Sequence, residues 1–284
     1  MLWNSVWVKP KTIIDTVEKE FPANWCLSEN QAPKFSESGN LLYFGTAMKQ
    51  HPEPKDTLLD DEKLRLDLWS WTDSRIQPQQ LKELDKDRKQ TYQAVYLIKD
   101  SIIVQLADSL VDKVTILKQN PAIALATSDI PYEKLASWES PAYADYYVVD
   151  VASGKKDLVL KKQQYDVRMS PLGNYVLYYN INDSTWNSYS VKNKTYTCLT
   201  KDLAVKFYDE ENDAPEEPSP YGVAGWAEND AFVLIYDKYD IWKIDPLMKI
   251  APENITRNGR NSNTEYRYVR TDNDAMSTII IRHG

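Results

Sequence analysis

The sequence predicts an all-β protein, and three observations carry that prediction. Tyr and Trp dominate the aromatic content, with 19 Tyr and 9 Trp against 5 Phe. A large apolar body with a polar edge suits strands and half-exposed sheet faces. A short polar turn followed by a β-branched and aromatic run recurs at Phe35 (FSESGNLLYF), Met169 (MSPLGNYVLYY) and Trp226 (WAENDAFVLIYD); such a pattern reads as the start of a strand. Helix signals are few: Ile13 to Glu20 and residues 81–90 predict short packing helices.

The repeats share more than their starts. Trp186 lies 17 residues after Met169, and Trp242 lies 16 residues after Trp226. Leu199-Thr200 closes one unit and Ile255-Thr256 the other, with Thr at offsets 31 and 30. Tyr146 to Lys155 reads as strand, turn and strand. Further starts near Ile98 and Tyr268 give repeats beginning near residues 35, 98, 169, 226 and 268. About five blade-like repeats of antiparallel strands predict a partial β-propeller, a single and incomplete domain over residues 1–284, with a closed five-bladed ring as the rival. An open ring leaves sheet edges that template further strands, so self-association through them is an expectation. Residues 45–63 (GTAMKQHPEPKDTLLDDEK) carry prolines and charge without period and read as a loop. Trp69 with Trp71 alternate as on a strand, as do Tyr146 with Val148 and Tyr147 with Val149, and each set reads as a packing face.

Composition narrows the function classes. The chain is 42% hydrophobic and 27% charged, ordinary for a globular domain, with net charge −8 and pI near 5.0. It has no global basic field for a phosphate backbone, which argues against nucleic acid. Cys26 and Cys198 are far apart, in no metal spacing, and read as buried or half-buried thiols. No run approaches the ~18 apolar residues of a membrane span, and the N-terminus lacks the layout of a signal peptide. No pattern in the chain calls for a cofactor.

The densest chemistry lies between Tyr208 and Trp226, in YDEENDAPEEPSPYGVAGW. Its acids, Asp209, Glu210, Glu211, Asp213, Glu216 and Glu217, could supply oxygens to calcium, but the spacing is not that of an EF-hand loop. A catalytic carboxylate pair needs two acids held across a cleft, which spacing alone does not show. The plainer reading is a connection between blades, with Tyr221-Gly222 and Gly225-Trp226 packing into the next blade. Asp60-Asp61-Glu62 reads as a solvated turn.

The turn Ser-Pro-Leu-Gly-Asn after Met169 resembles the Ser-Pro-Asp-Gly-Lys turn that recurs in propellers of prolyl oligopeptidase and dipeptidyl peptidase IV-type serine peptidases. The strings FYDEENDAPEEPSPYGVAGW, YDKYDIWKIDP, LDLWSWTDSRIQPQQ and YFGTA are similar to the propeller region of large exported Bacteroidetes peptidases of that clan. The similarity runs from about residue 25 to 284. It implies a propeller that covers a hydrolase domain and admits short peptides, in the periplasm or cell envelope. The hydrolase domain and peptide substrates would be its partners. Family members carry a Gly-x-Ser-x-Gly nucleophile elbow followed by Asp and His. This chain has no Gly-x-Ser-x-Gly, and its two histidines, His51 and His283, lack the context of a catalytic base. The resemblance therefore implies a non-catalytic module of a parent serine peptidase. Dipeptidyl peptidases of the clan grip a substrate's free amino terminus with a Glu pair, so it also marks Glu210, Glu211, Glu216 and Glu217 as candidate docking residues. The flanking residues here depart from that family's motif. The alternative is a stand-alone interaction scaffold.

Overall fold

The computed structural model describes residues 12–15, 19–50, 57, 59, 62, 66, 68–271 and 278–279. Among them the chain is all-β, laid out as successive antiparallel meanders of the kind that form propeller blades. The first sheet holds β1 (Trp25–Leu27), β2 (Lys34–Phe35) and β3 (Leu41–Met48), then, after helix α1 (Gln77–Arg88), β4 (Tyr92–Leu97) and β5 (Ile102–Gln105). Its order is β1-β3-β4-β5, with β2 also pairing with β3. The second, β6 (Lys113–Ile116), β7 (Ile123–Ser128), β8 (Ala144–Asp150) and β9 (Lys156–Gln163), runs in simple order. So does the third: β10 (Val167–Met169), β11 (Tyr175–Asn180), β12 (Thr185–Ser190) and β13 (Thr195–Cys198). The fourth holds β14 (Val223–Ala227), β15 (Val233–Tyr236), β16 (Ile241–Ile244) and β17 (Glu253–Asn254). After the short helix α2 (Gly259–Ser262), β18 (Thr278–Ile279) adds to its β14 edge, giving the order β17-β16-β15-β14-β18.

The chain divides into two compact units. One comprises Met1–Val114, Ala126–Ala142 and Val149–Lys156; the other comprises Thr115–Leu125, Tyr143–Val148 and Asp157–Gly284. The core of the first gathers Phe21, Trp25, Leu42, Phe44, Tyr92 and Ala94, with Trp25 against Tyr92 at 4.6 Å between ring centroids. The larger core of the second is aromatic: Trp186, Tyr179, Phe207 and Trp226 interlock with Val233 and Ile235. The Tyr175 ring stacks on Trp226 at 5.9 Å and 6°. Pairing the two inner faces in this way is what makes neighbouring sheets of the second unit pack as blades.

The turns that lead into strands recur in space as they do in sequence. In each, the amide of the first turn residue donates to the carbonyl five residues on, from Ser36 to Leu41, Ser170 to Tyr175 and Ala227 to Phe232. Gly39 and Gly173 take positive φ (69° and 79°), and Asp230 occupies the matching place at φ 56°. The Asp230 carboxylate is buried and ties the Ser-Pro-Leu-Gly-Asn turn of the third sheet to the fourth. It accepts from Ser170 Oγ at 2.7 Å, Asn174 Nδ2 at 3.0 Å and the Leu172 amide at 3.2 Å. The closing threonines also have one job. Thr200 Oγ1 accepts the Trp186 amide at 2.9 Å, and Thr256 Oγ1 accepts the Ile241 amide at 3.0 Å.

Several expectations change. The structural counterpart of Trp186 is therefore Ile241, not Trp242, because it is the Ile241 amide that donates to the closing threonine, as the Trp186 amide does in the third sheet. The start near Ile98 falls in the turn between β4 and β5; the second sheet begins instead at Lys113. Near residue 268 the described backbone is irregular, and β18 joins the fourth sheet rather than opening another. Ile13 and Ile14 are not helical among the described residues of that segment; they pack on the Phe21–Trp25 core. The helix predicted over 81–90 starts at Gln77 instead, with a proline in its first turn, where the missing amide costs nothing. Residues 45–48 belong to β3 rather than to a loop. Trp69 and Trp71 lie outside any strand and are 63% and 90% exposed, since no neighbouring strand pairs with them. His51, His283, Asp60 and Asp61 lie outside the described residues.

Candidate functional site

The acid-rich stretch folds as an irregular hairpin in the second unit. Tyr208 bridges to Pro220, and the Asp209 amide donates to the Ser219 carbonyl at 2.8 Å. Between them, local polar side chains shape the turn: Asp209 Oδ1 accepts the Glu211 amide at 3.0 Å, and Asn212 Nδ2 donates to the Glu216 carbonyl at 2.8 Å. Short polar side chains of this type replace the ladder where strand pairing ends. Tyr179 Oη donates to the Pro218 carbonyl at 3.1 Å and fastens the far limb to β11. Burial pushes the Tyr179 phenol up to about 12.

The turn at 237–240, between β15 and β16, faces this hairpin. Asp237 is fully buried; its Oδ1 accepts the amides of Tyr239 and Asp240, both at 2.6 Å, and its Oδ2 accepts the Trp242 indole N–H at 3.0 Å. Asp240 is also buried and reaches the other way, accepting Thr256 Oγ1 at 2.6 Å and the Gly259 amide at 2.9 Å. Burial pushes the Asp240 carboxyl up, but its hydrogen bonds to Thr256, Gly259, Asn254 and Arg260 outweigh that and hold it below its usual value.

Two cations meet the hairpin's glutamates. Arg260 lies 3.2 Å from Glu210 and 3.9 Å from the buried Asp237 carboxylate. Lys238 pairs with Glu211, a hydrogen bond that raises the lysine above its ordinary value. Both cations also lie over the Tyr239 ring, Arg260 at 5.2 Å and Lys238 at 5.3 Å from its centroid. Of the four glutamates expected to dock a substrate, Glu210 and Glu211 are thus each held by a cation of the same unit. Glu216 and Glu217 are exposed and close enough to add to the burial that raises the Tyr165 phenol. A free ammonium engaging Glu210 and Glu211 has to share them with Arg260 and Lys238.

No group of three or more His, Cys, Asp or Glu among the described residues is arranged to hold a metal ion. Cys26 and Cys198 are free, half-buried thiols. No helix among the described residues is long and apolar enough to cross a membrane. The partners Arg260 and Lys238 escaped the sequence reading because Arg260 stands 50 residues from Glu210 and Lys238 27 from Glu211.

No family model matches the sequence, and no curated protein matches it. Among solved structures, puromycin hydrolase shares 10% identity at a TM-score of 0.38, over 96% of this chain and 35% of that one. An acylaminoacyl peptidase in complex with Z-Gly-Gly-Phe-chloromethyl ketone shares 11% identity at 0.37, over 81% and 32%. A structure from a study of two prolyl endopeptidases shares 12% identity at 0.37, over 87% and 31%. The chain spans about a third of the length of these structures.

Proposed function

We propose that the chain is a non-catalytic propeller module of a prolyl oligopeptidase-type serine peptidase, which gates or docks peptide substrates for a hydrolase domain. The observation that carries this reading is the meander series with its repeated lead-in turn. The Ser-Pro-Leu-Gly-Asn turn on which the family resemblance rests takes the same hydrogen-bonded form as its counterpart at Ser36. No catalytic residue is assigned to the chain, whose sequence holds no Gly-x-Ser-x-Gly. In this reading Glu216 and Glu217, exposed beside Tyr165, are better placed to meet a peptide than Glu210 and Glu211, which already hold cations. The module would work in the periplasm or cell envelope.

The test is the native product in its own cell, sized by intact mass and challenged with a fluorophosphonate probe. A product several hundred residues longer that the probe labels supports the reading. A native product of 284 residues that stays unlabelled overturns it.

A second reading, a stand-alone interaction scaffold, is favoured by one feature of the first unit. Leu66, Leu68, Trp69, Trp71 and Ile76 precede α1 and are all at least 60% exposed, as is Trp138. A cluster of large exposed apolar side chains marks a surface that meets another molecule. Capture of a protein partner that is lost on replacing Trp71 and Trp138 would favour this reading.

A further inference from the structure

The fourth sheet carries an edge that is built to take a strand. β18 pairs with β14 in parallel, Trp226 opposite Thr278 and Ala227 opposite Ile279, while β14 runs antiparallel to β15 on its other side. Ile279 is 8% exposed, with its side chain among Tyr221, Ala224, Leu234, Tyr236, Ile241 and Ile255. The backbone of β14 is shaped for that contact. Its register slips between Val223 and Gly225, and Gly225 takes φ +152°. A Cβ at Gly225 would lie 2.9 Å from Ile279 Cδ1 and 3.3 Å from Cγ1. Glycine and bulge together let a branched side chain come within contact of the backbone.

We infer that the β14 edge is a strand-addition site for an extended peptide that presents a β-branched aliphatic residue to the Ile279 pocket. In this structure the chain's own Thr278–Ile279 fills it. Strand addition draws affinity from main-chain hydrogen bonds and selectivity from a pocket for alternate side chains. Here both parts are present: the edge supplies the backbone groups, and the pocket admits Ile279 while Thr278 stays outside it. Among the described residues the occupant pairs over two positions only, so Ile279 is its anchor and an incoming peptide competes with it. The cis strand then sets the apparent affinity by the fraction of time the edge is free. The inference is independent of any hydrolase domain, because it concerns a groove within one sheet.

The experiment uses the full chain and a dye-labelled pentapeptide, Ser-Thr-Ile-Ile-Ile, followed by fluorescence anisotropy. Emptying the pocket with Ile279→Asp is expected to tighten peptide binding by about 10-fold if the cis strand occupies the edge about nine-tenths of the time. Ile279→Ala serves as a milder variant should the charge disturb folding. Adding Gly225→Val to either is expected to abolish binding, with far-UV circular dichroism confirming that the sheet persists. A pentapeptide with Asp at its central position is expected to bind none of them. Equal binding by wild type and both Ile279 variants overturns the inference, as does undiminished binding when Gly225 carries a side chain. A wild-type dimer that the peptide dissolves also overturns it, in favour of strand exchange between two copies.

Discussion

Two regions of this molecule reverse what their compositions suggest. The acid-rich stretch from Tyr208 to Trp226 looks built for chemistry, yet its hairpin is tied by its own turns and two of its glutamates are matched by Arg260 and Lys238. Trp69 and Trp71 alternate in sequence as on a packed strand, yet they and the nearby Leu66, Leu68 and Ile76 stand in solvent. Charge in a sequence is a poor guide to reactivity when oppositely charged partners can arrive from distant segments. Apolar alternation is a poor guide to burial when no neighbouring strand exists to bury it. What separates the two regions is whether each group finds a partner inside its own unit.

The most direct way to break this contrast is to compare tryptophans. Trp186 is fully buried at the centre of the second unit's core. Trp186→Ala is expected to cost about 3–5 kcal/mol, the range for deleting a large core aromatic. Urea unfolding followed through Tyr and Trp fluorescence measures it, and a loss below about 1 kcal/mol would mean that this core is not packed as described.

Next in size are the buried acids of the turns. Asp230→Ala leaves Ser170 Oγ, Asn174 Nδ2 and the Leu172 amide without their acceptor, and is expected to cost about 2–4 kcal/mol, as removal of a charged acceptor from buried donors does. Asp230→Asn keeps one acceptor oxygen and should cost less. Equal losses for the two would show that the turn needs the full carboxylate, because asparagine accepts the positive φ at residue 230 as readily as aspartate does.

How far these features could be read from sequence follows from their span. The lead-in turns were legible because a single residue with positive φ fixes them, Gly39 and Gly173 in two cases, and that demand is local. The closing threonines, Thr200 and Thr256, were legible because a hydrogen bond to the start of the neighbouring strand fixes their distance along the chain. The second sheet was misplaced because Ile102–Gln105 is as strand-like as Lys113–Ile116, and only pairing with Tyr92–Leu97 tells them apart. The Glu210 and Glu211 pairs were illegible for the same reason: nothing near them in sequence announces Arg260. Asp237 caps its own turn, a local arrangement, whereas the bond from Asp240 to Thr256 joins segments 16 residues apart and leaves no local mark.

Acid should sharpen the contrast further. Asp240 has a folded pKa below its unfolded one. Its contribution to stability is present above the unfolded value near 4 and is lost as pH falls through the folded value. Stability of the second unit is therefore expected to decline below about pH 4, and Asp240→Asn should flatten that decline. The opposite sign applies to Tyr178 and Tyr179, both pushed up to about 12 by burial. Their contribution is intact below the ordinary phenol value of about 10 and disappears as pH rises through the folded one. A spectrophotometric titration at 295 nm in the range from about pH 10 to 12 would show it; ionisation of both at about 10 would place them in water.

The smallest effects on stability belong to the exposed groups, and there the two regions should part company. Arg260→Ala removes the partner of Glu210 and a neighbour of the buried Asp237. A cost of about 0.5–1 kcal/mol is expected, since the guanidinium is 40% exposed and solvent screens it. Trp71→Ala should change stability by no more than about 0.5 kcal/mol, since the side chain buries little in the isolated chain. Its Lys134 contact, 5.9 Å from ring centroid to ammonium, is a weak surface one. If Trp71 serves a partner surface, the same substitution should leave the melting temperature in place while weakening any complex the protein forms. A drop in melting temperature as large as that of Trp186→Ala would instead place Trp71 in a packed interior, and the distinction between an acid loop partly paired within its unit and an apolar segment left in solvent would fail.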